Sequence, residues 1–191
     1  MINPEGRTSK RITTADLKLM SHSKLVQLFR ELDAPTLSEM VGEFHGTALR
    51  QPTLLREVVA AVKVRNPLYL WKRKGFRQID EESGRGYNVH RWAISGRLVY
   101  RDPMTTKIVT SHIDGRPAFQ LDYRTFDTVN GALNLVDDVR RVGPGLYLGF
   151  GMLGFTDQQR GVLQPFMLEE TARPYVRDVG LLRSEQKHGC S

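Results

Sequence analysis

The spacing of apolar residues predicts a helix near the start of the chain. Its apolar positions share one helical face, as in a helix that packs against a core: Leu25, Leu28, Phe29 and Leu32. Ser21 or Ser23 supplies an N-cap immediately before this run. The residue before Pro35 disfavours helical geometry. We therefore predict a helix over 23–33.

A short strand and a second apolar helix are predicted next. The run from Gly42 to Leu49 is bounded by glycine and is typical of a strand. Pro52 suits the first turn of a helix, because proline lacks an N–H that would be unpaired there. The apolar residues after it cover much of a helix circumference, so we predict a buried helix over 53–64.

From Tyr69 onward, short apolar–polar alternations recur between turn signals. The turn signals include Ser83-Gly84, Ser95-Gly96, Asp102-Pro103, Asp114-Gly115 and Gly143-Pro144-Gly145. Short strands at this spacing predict an antiparallel meander that closes on itself. The predicted fold is mainly β (α+β): a lipocalin-like antiparallel β-barrel with N-terminal helices capping one end.

The same patterns divide the chain into three segments. Residues 1–20 are polar and basic without a sustained period, and we expect a flexible arm there. Residues 21–170 form the predicted single barrel domain. Residues 171–191 are polar and weakly periodic, and we expect a C-terminal tail.

The Asp114-Gly115 pair is the clearest hairpin signal, because a two-residue turn of this type matches the twist of the flanking strands. With that turn, Ile113 faces Arg116, and alternate residues of the two strands share a face. The more apolar face carries Ile108, Thr110, His112, Pro117, Phe119, Leu121 and Tyr123. We therefore predict that His112 points into the barrel.

A barrel of eight to ten short strands encloses room for one small ligand. The polar residues expected to orient such a ligand are His112, Arg91, Tyr123 and Tyr147. The expected apolar wall consists of Phe119, Leu121, Leu148, Phe150 and Met152, the last three sharing one strand face. The first functional hypothesis is binding of a small lipophilic molecule, expected to carry an anionic group.

The second hypothesis is a cofactor-independent isomerase, cyclase or lyase that uses the same cavity. Such an enzyme needs a group that accepts or donates a proton, and His112 and Tyr123 are the candidate catalytic residues. A further acid–base candidate is the run from Asp137 to Arg141, which contains two carboxylates and two arginines. The alternative interpretation of that run is a solvated, mutually paired strand edge.

Composition and charge narrow the range of partners. The 191 residues are 40% hydrophobic and 26% charged, which favours a packed core over disorder. A net charge of +7 attracts anions, and one basic cluster comprises Lys72, Arg73, Lys74 and Arg77. Because the chain lacks the sequence signatures of RNA-recognition and helix-turn-helix modules, nucleic-acid binding is not expected. The expected partner is a small hydrophobic molecule, and the oligomeric state stays open, a homodimer included.

Other classes of protein are disfavoured by what the sequence lacks. No apolar run approaches the roughly 20 residues that span a bilayer, and the start has no apolar secretory segment, so we expect a cytoplasmic protein without membrane insertion. Cys190 is the single cysteine, and the five histidines show no zinc-like spacing, so no metal is expected. The glycine-rich run over 143–151 fits neither a phosphate loop nor a dinucleotide fingerprint, so no cofactor is expected.

Two short motifs resemble those of a known family. They are Gly42-Glu43-Phe44-His45-Gly46 and, after the second predicted helix, Trp71-x-x-Lys74-x-Phe76. Together with the hairpin series that follows, they resemble the small bacterial and fungal GXWXG/DUF4334 proteins over residues 22–170. Phe44 stands where that family has tryptophan. The resemblance implies a small cytoplasmic barrel with a cavity for a hydrophobic ligand.

Overall fold

The computed structural model describes residues 11–51, 65–66 and 69–182. The strands are β1 (Gly42–Ala48), β2 (Arg65–Asn66), β3 (Tyr69–Gln78), β4 (Ser83–Trp92), β5 (Leu98–Thr110), β6 (Pro117–Asp122), β7 (Val136–Gly143), β8 (Leu146–Met152) and β9 (Gln164–Glu170). The helices are α1 (Thr14–Leu19), α2 (His22–Glu31), α3 (Val129–Ala132) and α4 (Asp157–Arg160). In these described ranges, every helix is too short or too polar to cross a membrane.

The strands form a closed antiparallel barrel, which confirms the predicted fold. Strand β1 pairs with β9 on one side and with β3 on the other, so Phe44 lies opposite both Glu170 and Lys74. From β9 to β3 the strand order around the barrel is β9-β8-β7-β6-β5-β4-β3. The short strand β2 pairs with the N-terminal end of β3. Closure satisfies the backbone hydrogen bonds that an open sheet would leave exposed at its edges.

The interior of the barrel is filled at one end and hollow towards the other. The apolar cluster at the filled end includes Leu37, Met40, Phe44, Phe76, Phe119, Leu121, Val139, Tyr147 and Leu168. Leu37 and Met40 come from the turn after α2, so the N-terminal segment closes this end. Further along the same strands, the interior positions line a cavity instead.

Helices α1 and α2 cover the side of the barrel along β8 and β9, whereas the sequence predicted that they cap one end. Leu25 and Phe29 of α2 pack with Phe150 and Met167, and the Phe29 and Phe150 rings meet edge to face at 5.2 Å. Ser21 caps α2 by accepting a hydrogen bond from the Lys24 N–H, as the sequence predicts. The predicted helix over 53–64 lies outside the described residues.

The prediction of a flexible arm is wrong for residues 11–20. Thr13 and Asp16 form a reciprocal capping box, which satisfies N–H groups at the start of α1. Leu17 of this helix is completely buried. A helix of 6 residues is too short to display a periodic pattern, and the capping pair is therefore the useful sequence signal.

The C-terminal segment over 171–182 lies against the outer face of β3 and β4. The Arg77 guanidinium donates two hydrogen bonds to Asp178, at 2.7 and 2.6 Å. Tyr175 stacks on Tyr87, with ring centroids 4.7 Å apart. Arg85 donates to the Gly180 carbonyl at 2.9 Å. This part of the predicted polar tail is therefore an integral covering of the barrel.

A completely buried arginine ties α2 and the β5–β6 hairpin to β7. Arg140 donates to both carboxylate oxygens of Asp114 at 2.6 Å and lies 4.4 Å above the Phe29 ring. It also donates to the backbone carbonyls of Phe29, Arg116 and Pro117. The neighbouring Arg141 forms a more exposed ion pair with Glu39.

We predict that Arg140→Met strongly destabilises the fold, whereas Arg141→Met does not. The first change removes the Arg140–Asp114 ion pair and three hydrogen bonds to backbone carbonyls, which costs about 3–5 kcal/mol. The second removes an exposed ion pair worth about 0–1 kcal/mol. Urea unfolding followed by circular dichroism measures both values. If the two variants lost equal free energy of unfolding, the structural role assigned to Arg140 would be wrong.

The Arg140–Asp114 contact also predicts an acid-sensitive contribution to stability. The hydrogen bonds from Arg140 lower the pKa of Asp114. A carboxylate with a depressed folded-state pKa stabilises the fold above its unfolded pKa, and this contribution is lost as the pH falls through the folded-state pKa. The free energy of unfolding of the parent chain, minus that of Asp114→Asn, should therefore shrink on acidification. In the Arg140→Met background this pH dependence should be much weaker, and an unchanged dependence would contradict the assignment.

Candidate functional site

A cavity of about 330 Å³ occupies the hollow part of the barrel. Its apolar wall includes Trp71, Leu133, Leu135, Leu153, Pro165 and Phe166. Its polar groups include Lys74, Asn88, Tyr123 and Asp137, with His90, Arg101 and Asp102 beside them. An apolar cavity with a few converging polar groups is the usual form of a small-molecule site.

Two interior glycines make room for the aromatic wall. A Cβ atom at Gly46 would lie 2.3 Å from the Trp71 ring, and one at Gly149 would lie 2.3 Å from the Phe166 ring. The two rings meet nearly at right angles, with centroids 6.0 Å apart. Larger side chains at either glycine would displace the aromatic wall, so both glycines are required by close packing.

Lys74 is the centre of the buried polar cluster. Its ammonium group donates to Asn88 Oδ1 at 3.1 Å and to the Tyr123 hydroxyl at 2.5 Å, and it lies 3.0 Å from Asp137 Oδ2. The Lys74 and Asp137 side chains are each only 5% exposed. An ammonium has three N–H donors, and three acceptors surround it here. The cluster is therefore a buried ion pair whose cation also donates two hydrogen bonds.

Aromatic rings enclose the same ammonium group. Lys74 Nζ lies 5.2–5.3 Å from the ring centroids of Trp71, Tyr123 and Phe166. A cation over an aromatic face is attracted by the ring quadrupole, and this attraction increases when water is excluded. The cavity wall thus helps to compensate the desolvation of the charge.

Tyr123 lies between the cation and the carboxylate. Its hydroxyl accepts from Lys74 and donates to Asp137 Oδ2 at 3.2 Å. Burial, reinforced by the charge of Asp137, raises the pKa of Tyr123 well above its ordinary value. Tyr123 is therefore a neutral phenol at physiological pH, available as a hydrogen-bond donor and proton relay.

A second carboxylate reaches the cavity through an irregularity in β5. The pairing with β4 shifts between Gly86 and Asn88, and Asp102 adopts a φ of 54° there. This left-handed conformation is uncommon outside glycine but is tolerated by aspartate. Asp102 Oδ2 lies 3.1 Å from His90 Nε2. The Asp102-Pro103 pair, predicted to be a turn, is thus a bulge within one continuous strand.

The charges around Asp102 keep it ionised despite burial. Burial alone would raise its pKa, but the hydrogen bond from His90 and the nearby charge of Arg101 leave the pKa below its ordinary value. Arg101 Nε lies 3.3 Å from Asp102 Oδ1. Among the described residues that line the cavity, Lys74 and Arg101 are therefore each matched by a carboxylate.

Gln51 adds an unsatisfied acceptor to the lining. Its side-chain nitrogen donates to the Leu49 carbonyl at 2.8 Å. Its Oε1 atom is buried and has no hydrogen-bond partner among the residues that the structure describes. A buried polar atom without a partner is unusual, and a ligand hydroxyl or amide could satisfy this one.

Of the predicted polar residues, Tyr123 lies in the cavity and three others do not. Tyr147 is buried in the apolar cluster at the closed end, where burial raises its pKa to about 12. Arg91 is exposed near the end of β4. The predicted inward position of His112 is wrong, because this residue is exposed in the β5–β6 connection.

The register of the β5–β6 hairpin explains why His112 lies outside the barrel. Thr110 pairs with Pro117, and the N–H of Ser111 bonds the Arg116 carbonyl at 2.9 Å. The turn is therefore longer than the Asp114-Gly115 pair alone, and His112 belongs to it rather than to a strand. A residue outside the ladder no longer follows the alternation that placed it inside.

The predicted apolar wall is also redistributed. Phe119 and Leu121 point inward but belong to the packed cluster rather than to the cavity lining. Leu148 and Phe150 lie on the outer face of β8 beneath α2, and Met152 borders an outer groove. These three outward positions contradict the predicted interior wall. The inward positions of β8 beyond Tyr147 are Gly149 and Gly151, which carry no side chain to display an apolar pattern.

The run from Asp137 to Arg141 combines buried residues of both faces. Asp137 faces the cavity, whereas Asp138 faces outward and accepts hydrogen bonds from Ser111 at 2.6 Å and Gln120 at 3.1 Å. Burial raises the pKa of Asp138. The interpretation of this run as a solvated strand edge is therefore wrong, and Asp137 was a usable signal for the site.

Lys74 is the main residue that sequence reasoning misplaced. It belonged to a predicted basic cluster, but its neighbours serve separate contacts: Arg73 lies 2.7 Å from Glu43, and Arg77 binds Asp178. The Trp71-x-x-Lys74-x-Phe76 motif was the available signal, since Trp71 and Lys74 line the cavity and Phe76 packs beneath it. Within the described residues, no group of three or more His, Cys, Asp or Glu side chains could hold a metal ion.

Comparisons with known proteins support the fold but provide no assignment for the site. No family model matches the chain, so the resemblance to the GXWXG/DUF4334 proteins stays a prediction. No curated protein matches either. A crystal structure of a protein from Thermomonospora curvata is similar over 80% of this chain and 88% of its own, with a TM-score of 0.52 and 14% sequence identity. At that identity the likeness shows a shared fold alone.

Proposed function

We propose that the cavity binds a small, largely apolar molecule through one polar group held by the Lys74 cluster. The observation that carries this proposal is the fully buried Lys74–Tyr123–Asp137 arrangement at the end of an aromatic wall. An ion pair without a binding role could be replaced by apolar packing at little or no cost in stability. Its position on the cavity surface supports a role towards a ligand.

The size of the cavity favours a compact ligand. Its volume of about 330 Å³ is near the lower end of the range for small-molecule sites, roughly 300–1,000 Å³. Trp71, Leu133 and Phe166 provide flat and branched apolar surfaces around it. These surfaces suit a molecule of one or two rings, or a short branched chain.

The charge balance favours a neutral polar group over the anionic group expected from composition. Lys74 already pairs with Asp137, and Arg101 with Asp102. A bound carboxylate would add an unmatched negative charge to a buried site, which is costly. A carbonyl or hydroxyl group can instead exchange hydrogen bonds with Lys74, Tyr123 or Gln51 without changing the net charge.

Two probes of similar shape test both parts of the proposal. We expect 2-naphthol to bind with one-to-one stoichiometry in isothermal titration calorimetry, and at least about tenfold more tightly than 2-naphthoate, a difference of ~1.4 kcal/mol. The aromatic wall contributes equally to the binding of both probes, so the difference in affinity reports the effect of the polar group. Tighter binding of the carboxylate would overturn the neutral-group assignment.

A pair of tryptophan substitutions locates the binding. Leu133→Trp places a bulky ring into the cavity lining and should abolish 2-naphthol binding, whereas Leu181→Trp adds the same ring at an exposed position outside the lining and should leave it intact. Circular dichroism establishes that both variants fold. Failure of the parent chain to bind 2-naphthol, or equal affinity in a folded Leu133→Trp variant, would contradict a ligand in this cavity.

A further inference from the structure

The only lysine that lines the cavity, among the residues that the structure describes, is Lys74. Its amino nitrogen lies among three aromatic rings and within 3.0 Å of a carboxylate that can accept a proton. A lysine in an apolar site, next to a base, is the arrangement that allows its amine to attack a carbonyl carbon.

We propose that Lys74 condenses with an aldehyde bound in the cavity to form a Schiff base. This inference rests on the proposed function, because the aldehyde must first enter the cavity with its carbonyl group towards Lys74. The substrate class is a small, mainly apolar aldehyde, whose carbonyl oxygen is the neutral polar group that the site favours. Asp137 and Tyr123 carry the protons.

The carbon–nitrogen bond forms in the first half of the reaction. The Lys74 ammonium transfers one proton to Asp137 Oδ2, across 3.0 Å, and becomes a neutral amine. Its lone pair attacks the carbonyl carbon, and the π electrons of the C=O bond move to the oxygen. That oxygen takes a proton from Tyr123, which is replenished by Asp137 across their 3.2 Å hydrogen bond. The product is a carbinolamine with a protonated nitrogen.

The carbon–oxygen bond breaks in the second half. The nitrogen gives one proton to Asp137, and the same relay delivers it to the carbinolamine hydroxyl. The hydroxyl then leaves as water, while the nitrogen lone pair forms the C=N bond. The net change is one ammonium and one aldehyde to one protonated imine and one water, with Asp137 and Tyr123 returned to their initial states.

The surroundings favour each of these steps. Tyr123 stays a neutral phenol, because burial and the charge of Asp137 raise its pKa, so it always carries the proton that the oxygen needs. Asp137 then serves as counter-ion to the iminium as it does to the ammonium. Asn88 Oδ1, 3.1 Å from Lys74 Nζ, fixes the direction of the amine. Exclusion of water from the aromatic wall favours loss of water from the carbinolamine.

Reductive trapping on the parent chain tests the inference. The protein is incubated with substoichiometric 2-naphthaldehyde and sodium cyanoborohydride, which delivers hydride to the imine carbon and makes the adduct permanent. Peptide mass spectrometry then measures labelling at each lysine. We expect Lys74 to be labelled at least about tenfold faster than the exposed Lys107, because the cavity holds the aldehyde beside the amine.

Competition separates this inference from the proposed function. Saturating 2-naphthol should slow labelling of Lys74 at least about tenfold and leave labelling of Lys107 unchanged, because only the first site lies in the cavity. If 2-naphthol binds in the cavity but Lys74 is labelled no faster than Lys107, the Schiff base is overturned and the proposed function stands. If neither compound binds, both are overturned. Because these measurements use the parent chain alone, their outcome does not depend on whether a variant folds.

Variants give a second, independent readout. Lys74→Arg should lose the fast adduct, and Lys107→Arg, a matched change at an exposed site, should retain it. Asp137→Asn keeps a hydrogen-bond acceptor but removes the proton acceptor, and should slow trapping at Lys74 by more than about tenfold. Unchanged trapping in folded Asp137→Asn would overturn the assigned proton path.

Discussion

The ion pair between Lys74 and Asp137 is the interaction on which the interior of the barrel depends. Lys74 lies on β3 and Asp137 on β7, and four steps of strand pairing separate these strands in either direction around the closed sheet. The pair therefore spans the barrel from one wall to the opposite wall, at 3.0 Å between its charged atoms. Such a contact exists only when the sheet closes, so it couples closure to the chemistry of the cavity. The same pair separates the packed end of the interior from the hollow end.

The cavity persists because of how space and charge are distributed around that pair. Glycine at 46 and 149 lets the Trp71 and Phe166 rings approach the strands closely, so the rings line the cavity without filling it. Their faces stabilise the buried ammonium, and the bulge at Asp102 places a second ionised group at the wall. In the part of the chain that the structure describes, Lys74 pairs with Asp137 and Arg101 with Asp102. A ligand therefore meets a site that is already organised and electrically balanced, which reduces the cost of ordering polar groups on binding.

The fold was predictable from sequence to a greater extent than the site. Recurring turn signals are local, and they indicated the barrel and the strand at β1 correctly. Side-chain direction is harder, because alternation identifies the inner face only where the outer face is polar. On β8 the outer residue Phe150 is buried under α2 while the inner positions include glycine, so the apolar pattern pointed to the wrong face. At His112 one altered turn length removed the residue from the ladder. Tyr123 was predicted correctly because it directly follows β6, where Phe119 and Leu121 mark the inner face.

Several arginines have a structural use that composition cannot reveal. Arg140 is buried beneath α2, Arg77 and Arg85 hold the C-terminal segment, and Arg73 pairs with the buried Glu43. A guanidinium suits these positions because its planar group can bond several acceptors at once and can also stack on a ring. Coverings attached in this way bury the outer face of the barrel on two sides. On β8 the covering by α2 makes the outer positions apolar, which explains the ambiguous pattern of that strand.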